Sequence, residues 1–186
     1  MQVSVFIATT LDGFIARANG DLDWLPNADA GNDTEDYGYQ AFFDVIDVLV
    51  MGRHTYETVR SFGEWPYGDK RVIVLSSRAI AIPPTLTDHV TIQTATPAEI
   101  YQQLRAEGSQ RVYIDGGQTI QGFLRAGLVD DIVVSRMPVL IGRGIPLFGP
   151  VAADIRLEHI ATKAFANGIV QTHYAVIKES STDATG

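Results

Sequence analysis

The sequence predicts an α/β protein, a mainly parallel sheet with helices on its faces and an antiparallel edge. Two observations carry that reading. Strand-like and helix-like runs alternate through the first two-thirds of the 186 residues, and the chain then turns all-β. Near its end, Asn167-Gly168 separates two β-rich runs. Asn-Gly in that setting is the strongest short hairpin signal, because both turn positions favour positive φ.

The elements follow in order. Residues 3–11 (VSVFIATTL), 48–52, 71–76, 90–94, 111–115 and 131–137 read as strands from their β-branched and aromatic content. IRLEHIATKAF and IVQTHYAVI, either side of the Asn-Gly pair, complete the set. Between the early strands lie helical runs. Residues 34–47 put Tyr39, Phe42, Phe43 and Ile46 on one stripe. Residues 96–108 open with Thr96 as N-cap, Pro97 at the first helical position and Glu99 completing a capping box, and Gly108 is the stop. Shorter helical runs occupy 55–62 and 118–127. No repeat or linker divides the chain, so residues 1–178 are expected to form a single domain. The polar tail 179–186 is expected to be disordered.

Composition narrows the function classes. Apolar residues make up 46% of the chain, enough for a sizeable core, yet no apolar stretch approaches the roughly 20 residues that span a bilayer. The N-terminus lacks a signal-peptide pattern, and the expectation is a cytoplasmic protein with no membrane partner. A net charge of −8 argues against nucleic acid, whose phosphates need a basic face. Without cysteine there are no disulfides and no thiol catalysis. The sequon-like Asn-Asp-Thr at 32–34 reads as chance. The four histidines, at 54, 89, 159 and 173, show no ligand spacing, so no metal is expected. No Gly-x-Ser-x-Gly elbow supports a serine nucleophile.

Three strand ends meet polar or glycine residues at once: VMGRHTYE (50–57), VLSSR (74–78) and YIDGGQT (113–119). In an open α/β sheet, ligands sit beyond the carboxyl ends of parallel strands. Gly52 and Gly117 let backbone come close, and the helices that follow offer unpaired N–H groups and a positive dipole end. Arg53 and Arg78 bring forked donors, and Thr55, Ser76, Ser77 and Thr119 bring hydroxyls. Each signal alone fits an ordinary turn or cap. Together they fit a dinucleotide with separated anionic groups.

These motifs, with ATTLDGFIARANGDLDWL (8–25) and LVDDIVVSRMPVLIGRGIPLF (128–148), resemble in order the dihydrofolate reductase-like superfamily. They are most similar to its branch containing the reductase domain of bifunctional riboflavin biosynthesis proteins. The resemblance implies a three-layer αβα sandwich around a mixed sheet of about eight strands, with a C-terminal antiparallel hairpin. It also implies an NADPH-dependent reductase acting on a pyrimidine- or pterin-like small molecule, and a homodimer.

By motif, Gly52, Arg53, His54 and Thr55 would hold the pyrophosphate and adenosine phosphate, and Leu75, Ser76, Ser77 and Arg78 the ribose 2′-phosphate. Gly116-Gly117 would form a cis peptide against the pyrophosphate, followed by Gln118 and Thr119 at the helix start. Ala8 and Ile15 would line the nicotinamide.

Two acids compete for the proton that must accompany hydride transfer. Asp12 matches a riboflavin-type aspartate beside the nicotinamide; its plain reading is an Asp-Gly turn. Asp36 lies near the acid that binds the pterin in dihydrofolate reductases; its plain reading is a carboxylate serving the helix start or capping with Asp33. Ser135 and Arg136 occupy the substrate-facing strand of the resemblance. Trp24 would close over the pocket and Tyr56 face the substrate, with core packing the alternative for each. Departures touch the substrate half. Phe14 stands where riboflavin reductases carry Lys or Arg, and an apolar ring offers nothing to a phosphate. Lys70 stands near the arginine that grips the folate tail and lacks its fork. A divergent dihydrofolate reductase and a nucleotide-binding module without turnover, its pocket plugged by Phe14 and Trp24, are the alternatives.

Overall fold

The computed structural model describes residues 1–25 and 35–178. The sequon-like triplet, Asp33, the first residue of the predicted 34–47 helix and the 179–186 tail lie outside them. In chain order the elements are β1 (Gln2–Thr10), β2 (Phe14–Ala16), α1 (Tyr39–Asp44), β3 (Val48–Gly52), α2 (Arg53–Ser61), β4 (Arg71–Leu75) and β5 (Val90–Gln93). There follow α3 (Pro97–Ala106), β6 (Arg111–Asp115), α4 (Gly117–Arg125), β7 (Asp131–Met137), β8 (Ile145–Pro146), β9 (Leu157–Ala164) and β10 (Val170–Val176).

One eight-stranded sheet runs β5-β4-β3-β6-β1-β7-β10-β9, and β2 and β8 form a separate two-stranded ribbon. The six strands from β5 to β7 are mutually parallel, while β10 is antiparallel to both β7 and β9. This is the αβα, dihydrofolate reductase-like sandwich the motifs imply.

Strand alternation explains the layers. Val48, Val50, Ile73, Val112 and Ile114 point to one face and join Ile100 and Leu104 of α3 and Ile120 and Phe123 of α4. Leu49, Met51, Val72, Val74 and Tyr113 point to the other, where they meet Tyr56 and Val59 of α2 and Phe42 and Phe43 of α1. Both faces are covered, so the central strands are apolar at consecutive positions instead of alternating. Phe123 is 1% exposed, and truncating such a side chain to alanine costs about 3–5 kcal/mol.

Three local expectations change. Helix α1 is six residues long, because Tyr37 (φ 55°) and Gly38 (φ 80°) hold left-handed backbone directly before Tyr39. The hairpin loop spans three residues instead of two. Phe165 and Ile169 pair across it, the Gly168 N–H bonds Phe165 O at 3.0 Å, and Gly168 alone takes positive φ (87°). That is a turn closed by a left-handed glycine. The predicted cis bond between Gly116 and Gly117 is absent, and that peptide is trans. The capping box of α3 forms as predicted, with Thr96 and Glu99 exchanging both bonds.

A candidate nucleotide rim and its adjoining pocket

Parallel register brings the predicted strand ends together. Gly52 lies opposite Leu75, and Met51 opposite Asp115, so β3, β4 and β6 end on one edge. A Cβ on Gly116, whose φ is +86°, would overlap Thr55 Oγ1. A Cβ on Gly52 would lie 3.2 Å from Thr119 Oγ1, and one on Gly117 would lie 3.0 Å from Ile15 Cδ1. The two glycines therefore serve a positive φ and a close approach of α2 and β2 to the start of α4.

Helices α2 and α4, nine residues each, begin immediately beyond these glycines, and no side chain caps either N-terminus. Their first N–H groups present a positive end to the rim. Around the glycines stand Thr55, Thr119, Ile15, Ile145 and the Pro146 carbonyl, and helix N-termini of this kind are ready-made anion sites.

The remaining predicted cofactor residues divide. Ser76 fixes its own loop, accepting from the Arg78 N–H at 3.0 Å and donating to Arg78 O at 2.8 Å. Ser77 and Arg78 are exposed beside it. No carboxylate among the described residues pairs with the Arg78 guanidinium. Arg53 is already engaged, its Nη1 2.9 and 3.0 Å from the two Glu57 oxygens and its Nη2 3.1 Å from His54 Nε2. Gln118 is exposed and Thr119 buried.

Beside the rim, β1 and β7 open a pocket of ≈ 290 Å³. Phe6, Ala8, Leu25 and Tyr39 give it apolar walls, and Ser135 a polar one; Asp36 and Tyr37 also line it. Ala8 and Ser135 are register partners, so both face this side. Ser135 Oγ accepts from Gln171 Nε2 at 2.9 Å, and the same amide donates to Tyr37 O at 3.0 Å. Tyr37 is further held by Asn167, whose Nδ2 donates to its hydroxyl at 2.7 Å, and by edge-on contact with Phe165. The β9–β10 hairpin thus fixes the strained Tyr37 at the pocket. A larger groove of ≈ 520 Å³ lies between α4, Ile132 and the segment from Phe148 to Leu157. It contains none of the predicted site residues, and we place the site at the strand ends.

Three predicted substrate contacts lie elsewhere. Arg136 follows Ser135 along β7, so it faces the opposite side of the sheet and is exposed. Tyr56 is fully buried in the first turn of α2, packed edge-on to Trp65. Leu25, in place of its neighbour Trp24, contributes to the pocket wall. Phe14 packs its Cβ against Gly144 and pairs with Pro146 in the β2–β8 ribbon, so neither it nor Trp24 plugs the pocket.

The acids also sort themselves. Asp12 is exposed; it takes a 2.5 Å bond from Thr10 Oγ1 and bonds of 2.7 and 3.1 Å from the N–H groups of Gly142 and Ile141. The Thr10 bond holds its carboxyl below the usual range; burial opposes it, and the Gly142 and Ile141 amides add to the lowering. It clamps the 139–144 loop to the end of β1. Asp36 accepts from Gly38 N at 2.9 Å and Gln40 N at 3.0 Å, which lower its pKa. Asp115 is a further candidate that the sequence motifs do not assign. Burial pushes its carboxyl up to about 6, against the opposing 2.7 Å bond from the Gly116 N–H. Its charge is felt by Tyr39, Tyr67 and Tyr113. The signal that could have found it is an acid between an apolar strand and two glycines, a place that desolvates it.

The sheet order and helical layers of this protein are those of the dihydrofolate reductase-like fold. Its family is narrower: the chain belongs to the RibD C-terminal domain family, which matches residues 1–171. It is 32% identical over 173 residues to YwjB of Bacillus subtilis, an uncharacterized protein, covering 91% of this chain and 95% of that one. Against the riboflavin biosynthesis protein RibD of Corynebacterium ammoniagenes, identity is 30% over 156 residues, 77% of this chain and 45% of the relative. Among solved structures, a Shewanella sp. PV-4 protein named for riboflavin biosynthesis has TM-score 0.85 at 40% identity, over 96% of this chain and 100% of that one. A Thermotoga maritima deaminase and 5-amino-6-(5-phosphoribosylamino)uracil reductase shares the fold at TM-score 0.72 and 13% identity, over 95% of this chain and 56% of that one. No helix among the described residues is long and apolar enough to cross a membrane.

Proposed function

We propose that this chain is an NADPH-dependent reductase of the riboflavin-biosynthesis type, acting on a pyrimidine- or pterin-like small molecule. The observation that carries the reading is the meeting of two uncapped helix N-termini at Gly52 and Gly116, beside a pocket containing Ala8 and Ser135. The family's reductase domains bind NADPH, which when bound supplies the hydride.

The chain's own work is binding, positioning and proton supply. The amides that open α2 and α4 hold the pyrophosphate, with Gly52, Gly116 and Gly117 admitting it to backbone contact. Arg78, beside Ser76 and Ser77, offers a forked cation to the ribose 2′-phosphate. Ala8 and Ile15 flank the nicotinamide, and Phe6 and Tyr39 seat a planar ring next to it. Asp115 lies at the end of β6, close enough for its charge to be felt by Tyr39 in the pocket wall. It is the acid we put forward to supply the proton that must reach the substrate, and burial favours its protonated form. Asp12 keeps the loop beyond β1 closed. Asp36 in the pocket lining favours a second reading, a divergent dihydrofolate reductase. The test is loss of NADPH absorbance with a panel of pyrimidines and pterins, dihydrofolate included. Tight cofactor binding with no consumption across the panel would leave a nucleotide-binding module instead.

A further inference from the structure

Ala8, Ser135 and Gln171 lie side by side across β1, β7 and β10 as register partners. Ala8 and Ser135 line the pocket, and Gln171 stands outside its lining. The Gln171 amide nitrogen reaches two oxygens, Ser135 Oγ at 2.9 Å and Tyr37 O at 3.0 Å. The Tyr37 oxygen is a backbone carbonyl and can only accept, so it fixes which end of the amide faces it. The same nitrogen therefore donates to Ser135 as well. That leaves the Ser135 hydroxyl proton to be given elsewhere. Among the described residues, the bond from Gln171 is the only one Ser135 Oγ makes. Ser135 is 4% exposed, and a hydroxyl buried to that degree loses stability when its proton has no acceptor. The pocket it lines is where a ligand can bring one.

Resting on the reductase reading above, we propose that Gln171 is a positioning residue that sets the polarity of this pocket. By donating to Ser135 it turns the Ser135 hydroxyl into a hydrogen-bond donor, which recognises a neutral acceptor such as a carbonyl oxygen on the ligand. Gln171 acts through Ser135 and touches no ligand itself. Its second bond helps hold the left-handed backbone of Tyr37 (φ 55°), a further lining residue. A carboxylate at position 171 reverses the arrangement, because it has acceptors only. It takes the Ser135 proton for itself and leaves Tyr37 O facing another oxygen. An incoming carbonyl then meets lone pairs in place of a donor, and a buried polar group left unpaired is what makes such a site reject a ligand.

The test is calorimetric titration with 5,6-diaminouracil, a neutral probe bearing ring carbonyls. The proteins compared are the wild type, Gln171→Glu, Gln171→Met, Ser135→Ala and the double variant Gln171→Glu/Ser135→Ala. Gln171→Glu should weaken binding about tenfold or more, and Gln171→Met about threefold or less, because methionine fills the space and leaves the hydroxyl proton free. Ser135→Ala should weaken it about tenfold, and adding Gln171→Glu to it should change little further. A merely structural role predicts equal losses in Gln171→Glu and Gln171→Met, and losses that add in the double variant. Either result overturns the proposal. So does binding unaffected by Gln171→Glu, or a wild type that fails to bind the probe at millimolar concentration. Each titration is run with and without NADPH, which separates the two ideas. Absence of NADPH binding removes the reductase reading, whereas the substitution series decides this inference by itself.

Discussion

Gly116 and Thr55 are in such close contact that a single methyl group on the glycine would occupy the space of the threonine Oγ1. The pair ties the end of β6, just before α4, to the first turn of α2; α2 and α4 are the helices whose first amides face the candidate rim. Gly116→Ala therefore incurs both a positive φ and a steric overlap. We expect a loss of about 1–3 kcal/mol in urea unfolding and at least tenfold weaker NADPH binding. Thr55→Ala in the same chain should recover part of the stability by removing the overlapping oxygen, leaving the φ cost in place; a double-mutant cycle measures that coupling.

Arg78→Ala should weaken NADPH about ten- to a hundredfold and NADH much less, because only NADPH has a 2′-phosphate to pair with the guanidinium. Paired fluorescence titrations with the two cofactors check this. Equal losses would remove Arg78 from the phosphate site.

Asp115 predicts a pH dependence with a definite sign. Unfolded, its carboxyl titrates near 3.8; folded, near 6. Between those values the unfolded chain has released a proton that the folded chain keeps, so stability falls as pH rises through the window. The full contribution is on the order of 3 kcal/mol. Asp115→Asn should flatten this part of the stability profile and raise stability above pH 6. It should also abolish the fall in turnover that accompanies deprotonation near pH 6, measured as kcat against pH.

Asp12→Asn should behave differently. Its folded pKa is lowered, so its contribution is present above the unfolded pKa and is lost as pH falls through the folded one. The variant should lose hydrogen-exchange protection at the Ile141 and Gly142 amides. It should leave in place the pH profile of turnover near 6 assigned to Asp115. Loss of that profile in Asp12→Asn would return the proton to the acid expected from the motif.

The sheet was legible because its signals are local. Strands 48–52, 111–115 and 131–137 are bounded as expected, since each is a run of β-branched residues ended by a glycine, an acid or a proline. The capping box at Thr96 and Glu99 is a four-residue pattern and formed as read. What the sequence hid depends on which way side chains point. Ser135 and Arg136 are adjacent in the chain and fall on opposite sides of β7, and only the pairing with Ala8 tells which one faces the pocket. Tyr37 reaches the site through contacts with Asn167 and Gln171, some 130 residues away in sequence, where no local pattern points. Asp115 looked like part of a turn because its raised pKa comes from the packing around it, which a linear reading does not show.

The central claim is most directly tested by calorimetric titration of the wild-type protein with NADPH. One site per chain with micromolar affinity, and much weaker binding of NADH, is the predicted result. No detectable association of NADPH at millimolar concentration would contradict it, however well the fold matches its relatives.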